Sequence, residues 1–290
     1  MCLKPKDSTM VLADKIMGEL QQVMNKEASF TTGGNLKELN NFINALQAPE
    51  EYDRYTDIRV ACVHYIRCPH VFFKTKSDTF AIAVQILDII LWKFKVTQRF
   101  MSIIGAACYI IAAKMVEEDE VIPSPHDLAQ LPGHEWTRHD LCRMELYILD
   151  KLSWAPPRIT YLSYLPVLAQ LFDLNQNAVL SPPIVVLAER CLKSKSTVLM
   201  PPCSLALALV LHLTGSPHDS LTEEKQFQVM KFCKIEEPTL KRCVEKLAVL
   251  SSSAYPPLPS ESFRTGVTFP LKIFNKPSEM GSPELATIHE

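Results

Sequence analysis

The sequence predicts an all-α protein made of two tandem five-helix units, and three observations lead there. From Glu51 to Leu250 apolar residues recur at helical spacing, interrupted only by prolines and short polar breaks. No pair of alternating runs flanks a two-residue turn, so no hairpin is expected. The helical pattern also repeats after an offset of roughly one hundred residues, the size of one domain.

Composition sets the outer bounds. The chain has 290 residues, 47% of them hydrophobic, enough for two modest cores because single domains usually run about 100–200 residues. A formal net charge of −2 gives no global attraction to nucleic acid or to anionic membranes. The nine cysteines are odd in number and lie mostly in apolar runs, which reads as small core residues in a reducing compartment without disulfides. The start, MCLKPKDSTM, lacks the apolar region of a secretory signal, and the apolar run Ser204 to Leu213 is too short to span a bilayer. A soluble intracellular protein, with no membrane partner, is the expectation.

Residues 1–50 read as an N-terminal extension. Met10 to Lys26 is amphipathic behind a Ser8 or Thr9 cap, Phe30 to Leu36 is a linker around Gly33 and Gly34, and Leu36 to Leu46 is a second short helix before Pro49.

The first unit covers residues 51–154, with helices near 52–67, 77–94, 97–116, 125–131 and 137–152. Pro69, a break near Lys95, Pro123 and Pro132-Gly133 separate them. Val96 to Glu120 is its centre: Phe100, Ile103, Ile104, Cys108, Ile110, Ile111 and Met115 leave no broad polar face. Gly105, Ala106, Ala107, Ala112 and Ala113 let neighbouring backbones approach, and the helix ends in Lys114 and the acidic run Glu117 to Glu120, with Pro123 as the stop.

After Pro156 and Pro157 the second unit covers residues 155–252, with helices near 158–172, 182–195, 202–214, 222–233 and 237–250. Its third helix repeats the small, apolar character of the first unit's, Leu205 to Ala208 answering Gly105 to Ala107. A Leu-x-Arg step follows in both units, Leu141-Cys142-Arg143 and Leu240-Lys241-Arg242. Residues 253–290 turn to Pro, Ser and Glu, a flexible tail that buries too little to fold alone, although Thr268 to Phe274 has the apolar character to dock locally.

Catalytic signatures are missing: there is no Gly-x-Ser-x-Gly elbow, no phosphate-binding glycine loop and no Cys-x-x-Cys pair. His134-Glu135-Trp136-Thr137-Arg138-His139 is one residue too long for a zinc-binding His-Glu-x-x-His, and its imidazoles would sit about 140° apart on a helix. It reads instead as a loop and a helix start capped near Thr137. No enzyme activity, metal or cofactor is expected.

Charges inside apolar stripes are the informative feature. Glu145 interrupts Leu141, Ile148, Leu149 and Leu152, and Lys114 interrupts Ile103, Ala107, Ile110 and Ile111. Arg59 shares a face with Tyr55, Cys62, Val63 and Ile66, and Asp88 with Ala81, Val84, Leu91 and Trp92. A buried carboxylate needs a partner, so Arg59 and Asp88 are expected to form a structural ion pair. Periodicity alone leaves Lys114 and Glu145 open between a second internal pair and a site that receives a partner's backbone or side chains.

In their order and context these residues resemble a cyclin. The likeness runs through IRVACVHYI (58–66), FAIAVQILDII (80–90), SIIGAACYIIAAKMVEED (102–119) and LCRMELYILDKLSW (141–154), and extends over the second unit in helix pattern. AAKMVEEDEVIP and RMELYILDKLSW look most similar to the cyclin G and cyclin I group.

The resemblance implies two stacked cyclin boxes behind an N-terminal helix, and a regulatory subunit that binds and activates a cyclin-dependent kinase as a heterodimer, in cell-cycle or related signalling, in the nucleus, the cytoplasm or both. Lys114 and Glu145 fall on the family's kinase-binding pair, which holds the loop before the kinase's C-helix and so aligns its Glu–Lys pair. Arg59 and Asp88 fall on its structural pair. Ile58, Cys62 and Tyr65 replace the usual exposed Met, Leu and Trp of a substrate-docking patch, which makes that patch degenerate, and Asp88-Ile89 replaces the usual Asp-Arg. No Arg-x-x-Leu destruction motif lies near the N-terminus, while the tail offers Ser282-Pro283 for phosphorylation. The alternative is an adaptor that uses the same fold to recruit protein phosphatase 2A subunits or another protein without activating a kinase. A nucleic-acid-binding cyclin fold is opposed by the charge balance and by the lack of a clustered basic helix.

Overall fold

Every regular element among the described residues is helical. The computed structural model describes residues 15–27, 49–94, 96–132, 135–194, 200–215 and 220–252, all inside one compact unit, Met1–Pro257. The Ser8 or Thr9 cap, the linker and second short helix before Pro49, His134, Cys2, and the tail with Thr268 to Phe274 and Ser282-Pro283 lie outside the described residues.

Helix α1 occupies residues 15–27. The first five-helix set follows as α2 (Pro49–Phe73), α3 (Ser77–Lys93), α4 (Met101–Val116, entered through a 3-10 turn at Gln98–Phe100), α5 (Pro125–Ala129) and α6 (Arg138–Lys151). Pro69 does not end α2, contrary to the sequence expectation. Tertiary packing overrides the lost hydrogen bond: Cys62, Val63 and Ile66 are fully buried, and Pro69 and His70 carry the same buried face one turn further. The helix closes only where the Thr75 N–H reaches the His70 carbonyl at 3.2 Å.

The central rod is α4, with every residue from Ile103 to Ala113 buried. Gly105 explains how closely α2 crosses it, because a Cβ there would lie 2.8 Å from Tyr65 Cβ and 2.9 Å from the Cys62 carbonyl oxygen. Gln98–Val116 is long and apolar enough to cross a membrane, a stretch the reading of Ser204 to Leu213 passed over, yet 67% of it is buried within the bundle as a core helix.

Pro123 does not stop α4 either. The helix ends seven residues earlier, where Glu117 turns to extended backbone and folds its carboxylate inward, with only 2% of that side chain exposed. Glu117 accepts the Lys76 N–H at 2.7 Å and the Thr79 hydroxyl. It therefore caps α3, whose own N-cap residue, Lys76, offers no side-chain acceptor.

The second set comprises α7 (Tyr161–Leu171), α8 (Gln176–Val179), α9 (Pro182–Leu192), α10 (Pro202–Thr214), α11 (Ser220–Cys233) and α12 (Glu237–Ser252). The single turn α8, capped by Asn175, is additional to the five expected helices; it is too short to give an apolar period. Buried throughout Cys203 to Val210, α10 takes the place that α4 holds in the first set. Ile16 and Leu20 of α1 join this second core, and the Tyr164 hydroxyl donates to Glu27 at the helix's end.

Side chains from α2 and α3 tie the two cores together. The Ser77 hydroxyl donates to Glu189 at 2.7 Å, His70 Nε2 lies 3.4 Å from the same carboxylate, Thr160 donates to Asp78, and Gln85 donates to the Ile159 carbonyl at 3.0 Å. Burial alone would push the Glu189 carboxyl up, but His70, Ser77 and Arg67 outweigh it and hold the group below its usual range. The cysteines pack as small apolar residues: among the eight described ones six are buried, Cys68 is half-buried and Cys142 is exposed, and none of these forms a disulfide. Burial pushes the Cys191 thiol up to about 12 and Cys68 to about 11, which suppresses thiolate chemistry.

Candidate functional site

Lys114 stands in the last turn of α4 and Glu145 in the middle of α6, and packing of the two helices brings Lys114 Nζ to 2.5 Å from Glu145 Oε1. Local sequence fixes both positions. The inward turn of Glu117 ends α4 just beyond Lys114. The rigid return through Pro123 leads to a capping box at Ser124 and Asp127 around Pro125, which starts α5. A second capping box starts α6: Thr137 and Asp140 exchange hydrogen bonds at 2.8 and 3.3 Å, which also holds the Asp140 carboxyl below its usual range. The described part of that stretch, Glu135 to His139, thus serves as a helix start, and no cluster of three metal-binding side chains occurs among the described residues.

The pair lies at the surface edge rather than in the core: the Lys114 side chain is 47% exposed and that of Glu145 only 11%. One of the three ammonium donors is used by Glu145, which leaves the other two able to donate and the second carboxylate oxygen able to accept further hydrogen bonds. Beside them on α6, Leu146 is 57% exposed, Cys142 is exposed and Leu149 is half-buried, an apolar flank one step round from the charges. Sequence reasoning missed Leu146, although its position about 100° from the centre of the stripe marks it as an apolar residue on a polar face. The acidic run divides: Glu118, Asp119 and Glu120 are exposed near this surface, whereas Glu117 is turned inside.

Arg59 and Asp88 meet in a different setting. Arg59 is fully buried and forks onto Asp88, Nε to Oδ1 at 2.6 Å and Nη2 to Oδ2 at 3.0 Å. Its remaining amino group donates to the carbonyls of Leu192 at 3.0 Å and Ser194 at 3.3 Å, at the C-terminal end of α9. One side chain thus joins α2, α3 and the second set; this third attachment has no signature in the sequence, because backbone carbonyls carry no residue code. The degenerate docking patch does not hold together as a surface: Cys62 is fully buried under Gly105, and only the half-buried Ile58 and Tyr65 reach solvent.

The family described as "Cyclin, N-terminal domain" matches residues 35–155, the stretch that contains both charge pairs. The first helical set is thus similar to a cyclin box. The chain is 33% identical over 104 residues to Cyclin-G1 of Homo sapiens, an alignment covering 36% of this chain and 35% of the relative. It is 38% identical over 108 residues to Cyclin-G2 of Homo sapiens, covering 37% and 31%. The matched stretch thus spans about a third of each curated relative. A viral cyclin from herpesvirus saimiri superimposes with a TM-score of 0.54 at 19% identity, over 74% of this chain and 97% of the other. That alignment extends the cyclin fold beyond the first box, so the protein is a cyclin-fold protein related to cyclin G.

Proposed function

We propose that this cyclin-fold protein is a regulatory subunit that binds a cyclin-dependent protein kinase as a heterodimer and activates it, gripping the kinase with Lys114 and Glu145. The observation that carries this reading is the half-exposed Lys114–Glu145 pair, held by two capped helices at the rim of the cyclin box beside the exposed Leu146. Such a pair offers donor and acceptor side by side to a peptide backbone, while the apolar flank supplies area to bury. The subunit itself contributes no catalytic group; its binding energy favours the active arrangement of the kinase. A nuclear or cytoplasmic role goes with this reading, as do two cyclin boxes at 51–154 and 155–252.

The test is affinity purification of the wild type beside Lys114→Glu and Glu145→Ala, with kinase activity assayed on each eluate. Loss of kinase from both variants, both still folded, is the expected outcome; Lys114→Glu should melt somewhat lower than the wild type, because it leaves the Glu145 carboxylate, only 11% exposed, without a cation. Retention of the kinase by both would sink the reading. Recovery of protein phosphatase 2A subunits by wild type and variants alike, without kinase activity, would favour the adaptor.

A further inference from the structure

The far side of α6 carries a second surface, turned away from Glu145. Tyr147 and Lys151 stand one turn apart on that helix, about 200° and 240° round from Glu145. They meet the end of α3, where the backbone becomes extended at Phe94 (φ −134°, ψ 139°) while the Phe94 N–H still closes the last turn on the Ile90 carbonyl at 3.0 Å. The Phe94 and Tyr147 ring centroids are 6.0 Å apart, and the Lys151 ammonium lies 5.7 Å from the first and 5.3 Å from the second. One step back along α3, the Lys93 ammonium lies 5.8 Å from the Trp92 ring.

We propose that Phe94, Tyr147 and Lys151, with Trp92 and Lys93 beside them, form a docking surface for an acidic peptide segment of a protein partner. Two ammonium groups meet aromatic rings here, and neither forms an ion pair among the described residues. A lysine in the last turn of a helix answers the macrodipole, which accounts for the charges. It does not account for the half-buried rings of Trp92, Phe94 and Tyr147 against which they rest. A lysine laid against rings has given up much of its side-chain freedom before a partner arrives, so less is lost on binding. The rings engage one side of the ammonium and leave N–H donors open to carboxylates, and the positive ring edges favour the same anions.

Charge decides the chemistry of the occupant. The exposed Asp150 lies about 100° round α6 from Lys151, on the flank of the surface, and Arg99 adds a further cation in the turn between α3 and α4, 4.6 Å from the Phe100 ring. Residues 253–290 carry Glu261, Glu279, Glu284 and Glu290 against Arg264, Lys272 and Lys276, a near balance with no special affinity for a basic surface. The acidic segment therefore belongs to another molecule. Single-stranded nucleic acid would stack its bases on open ring faces along a basic track, whereas Lys151 already occupies Phe94 and Tyr147 and the chain has a net charge of −2.

The probes are an immobilised degenerate peptide library with a fixed central run of glutamates, a counterpart with glutamines at those positions, and a single-stranded oligonucleotide as competitor, applied to the full chain. The acidic library should retain the wild type, and the glutamine library should not. Lys151→Glu should weaken retention about tenfold, since attraction becomes repulsion at one contact. Lys151→Arg keeps the cation against the rings and should be retained. Lys93→Glu, at the exposed end of α3, gives a second variant with the same expected loss if Lys151→Glu melts early. Lys241→Glu makes an equal charge change on an exposed position of α12 and should bind as the wild type does. Lys114→Glu should also bind normally, which separates this surface from the proposed kinase site. Equal retention by the glutamine library, full retention of Lys151→Glu and Lys93→Glu, equal weakening by Lys241→Glu, or release by the oligonucleotide would overturn the proposal. So would self-association of the wild type that Lys151→Glu abolishes, because the occupant would then be a second copy.

Discussion

Replacing Arg59 with Met removes a fully buried side chain that makes four hydrogen bonds, while keeping most of its volume. The variant loses a two-bond fork at 2.6 and 3.0 Å and two bonds to carbonyls at 3.0 and 3.3 Å. It also leaves the Asp88 carboxylate, with 10% of its side chain exposed, without a cation. Removing one partner of a buried pair costs about 3–5 kcal/mol, because the remaining charge has been taken out of water. Set against a typical total of about 5–15 kcal/mol, that leaves a folded but fragile protein. Asp88→Asn should cost less, about 1–3 kcal/mol, since the guanidinium keeps both carbonyl acceptors and a neutral oxygen. Arg59→Met combined with Asp88→Leu should be more stable than Arg59→Met alone, because no orphan charge remains. Urea unfolding at neutral pH measures all three. The reasoning fails if Arg59→Met lies within about 1 kcal/mol of the wild type, or if Asp88→Asn is the more damaging single change.

Three further substitutions test other contacts. Gly105→Ala gains about 1 kcal/mol of helix propensity, but its Cβ would meet Tyr65 and Cys62 at 2.8 and 2.9 Å, so the melting temperature should fall; a rise would show that α2 and α4 can separate freely. Glu117→Ala strips the acceptor from the Lys76 N–H and the Thr79 hydroxyl and should cost about 1–3 kcal/mol by thermal unfolding, Glu117→Gln distinctly less. Burial raises the Glu27 carboxyl above its usual value despite the Tyr164 hydrogen bond, so the folded state holds that proton more tightly than the unfolded chain and loses stability as pH rises through the carboxylate range. Glu27→Gln should therefore be more stable than the wild type at pH 7, with the difference shrinking toward pH 4; urea midpoints at the two values check the sign.

The parts of the fold that depend on local pattern were legible in the chain itself. Apolar period located every long helix, and the all-small run around Gly105 announced a close crossing before any partner helix was known. Two boundaries depart from the local pattern for one reason: Pro69 and Pro123 carry strong local stop signals, yet α2 runs on through Pro69 with its buried face, and α4 ends where a carboxylate turns inward to cap α3. Tertiary demands overruled the local ones. Hydrogen bonds to backbone, such as those from Arg59 to Leu192 and Ser194, lie beyond any residue pattern, because every residue type supplies the same carbonyl.

The two charge pairs look alike in sequence, each an opposed pair interrupting apolar stripes, and burial alone gives them different roles. Arg59 is sealed from water and saturated by four acceptor contacts, so it cannot be lent to a partner without breaking the fold. Lys114 is 47% exposed, and an ion pair so open to water is worth only about 0–1 kcal/mol. Separating it from Glu145 costs the free protein little, and a partner that supplies better acceptors can recover that cost at once. In the proposed complex Glu145, at 11% exposure, would hold the lysine in place until the partner arrives and then offer a partly desolvated carboxylate to its donors. A weak pair at the rim is thus better suited to recognition than a strong one in the core, and its weakness is also why Lys114→Glu and Glu145→Ala should leave a folded protein in which binding can be judged.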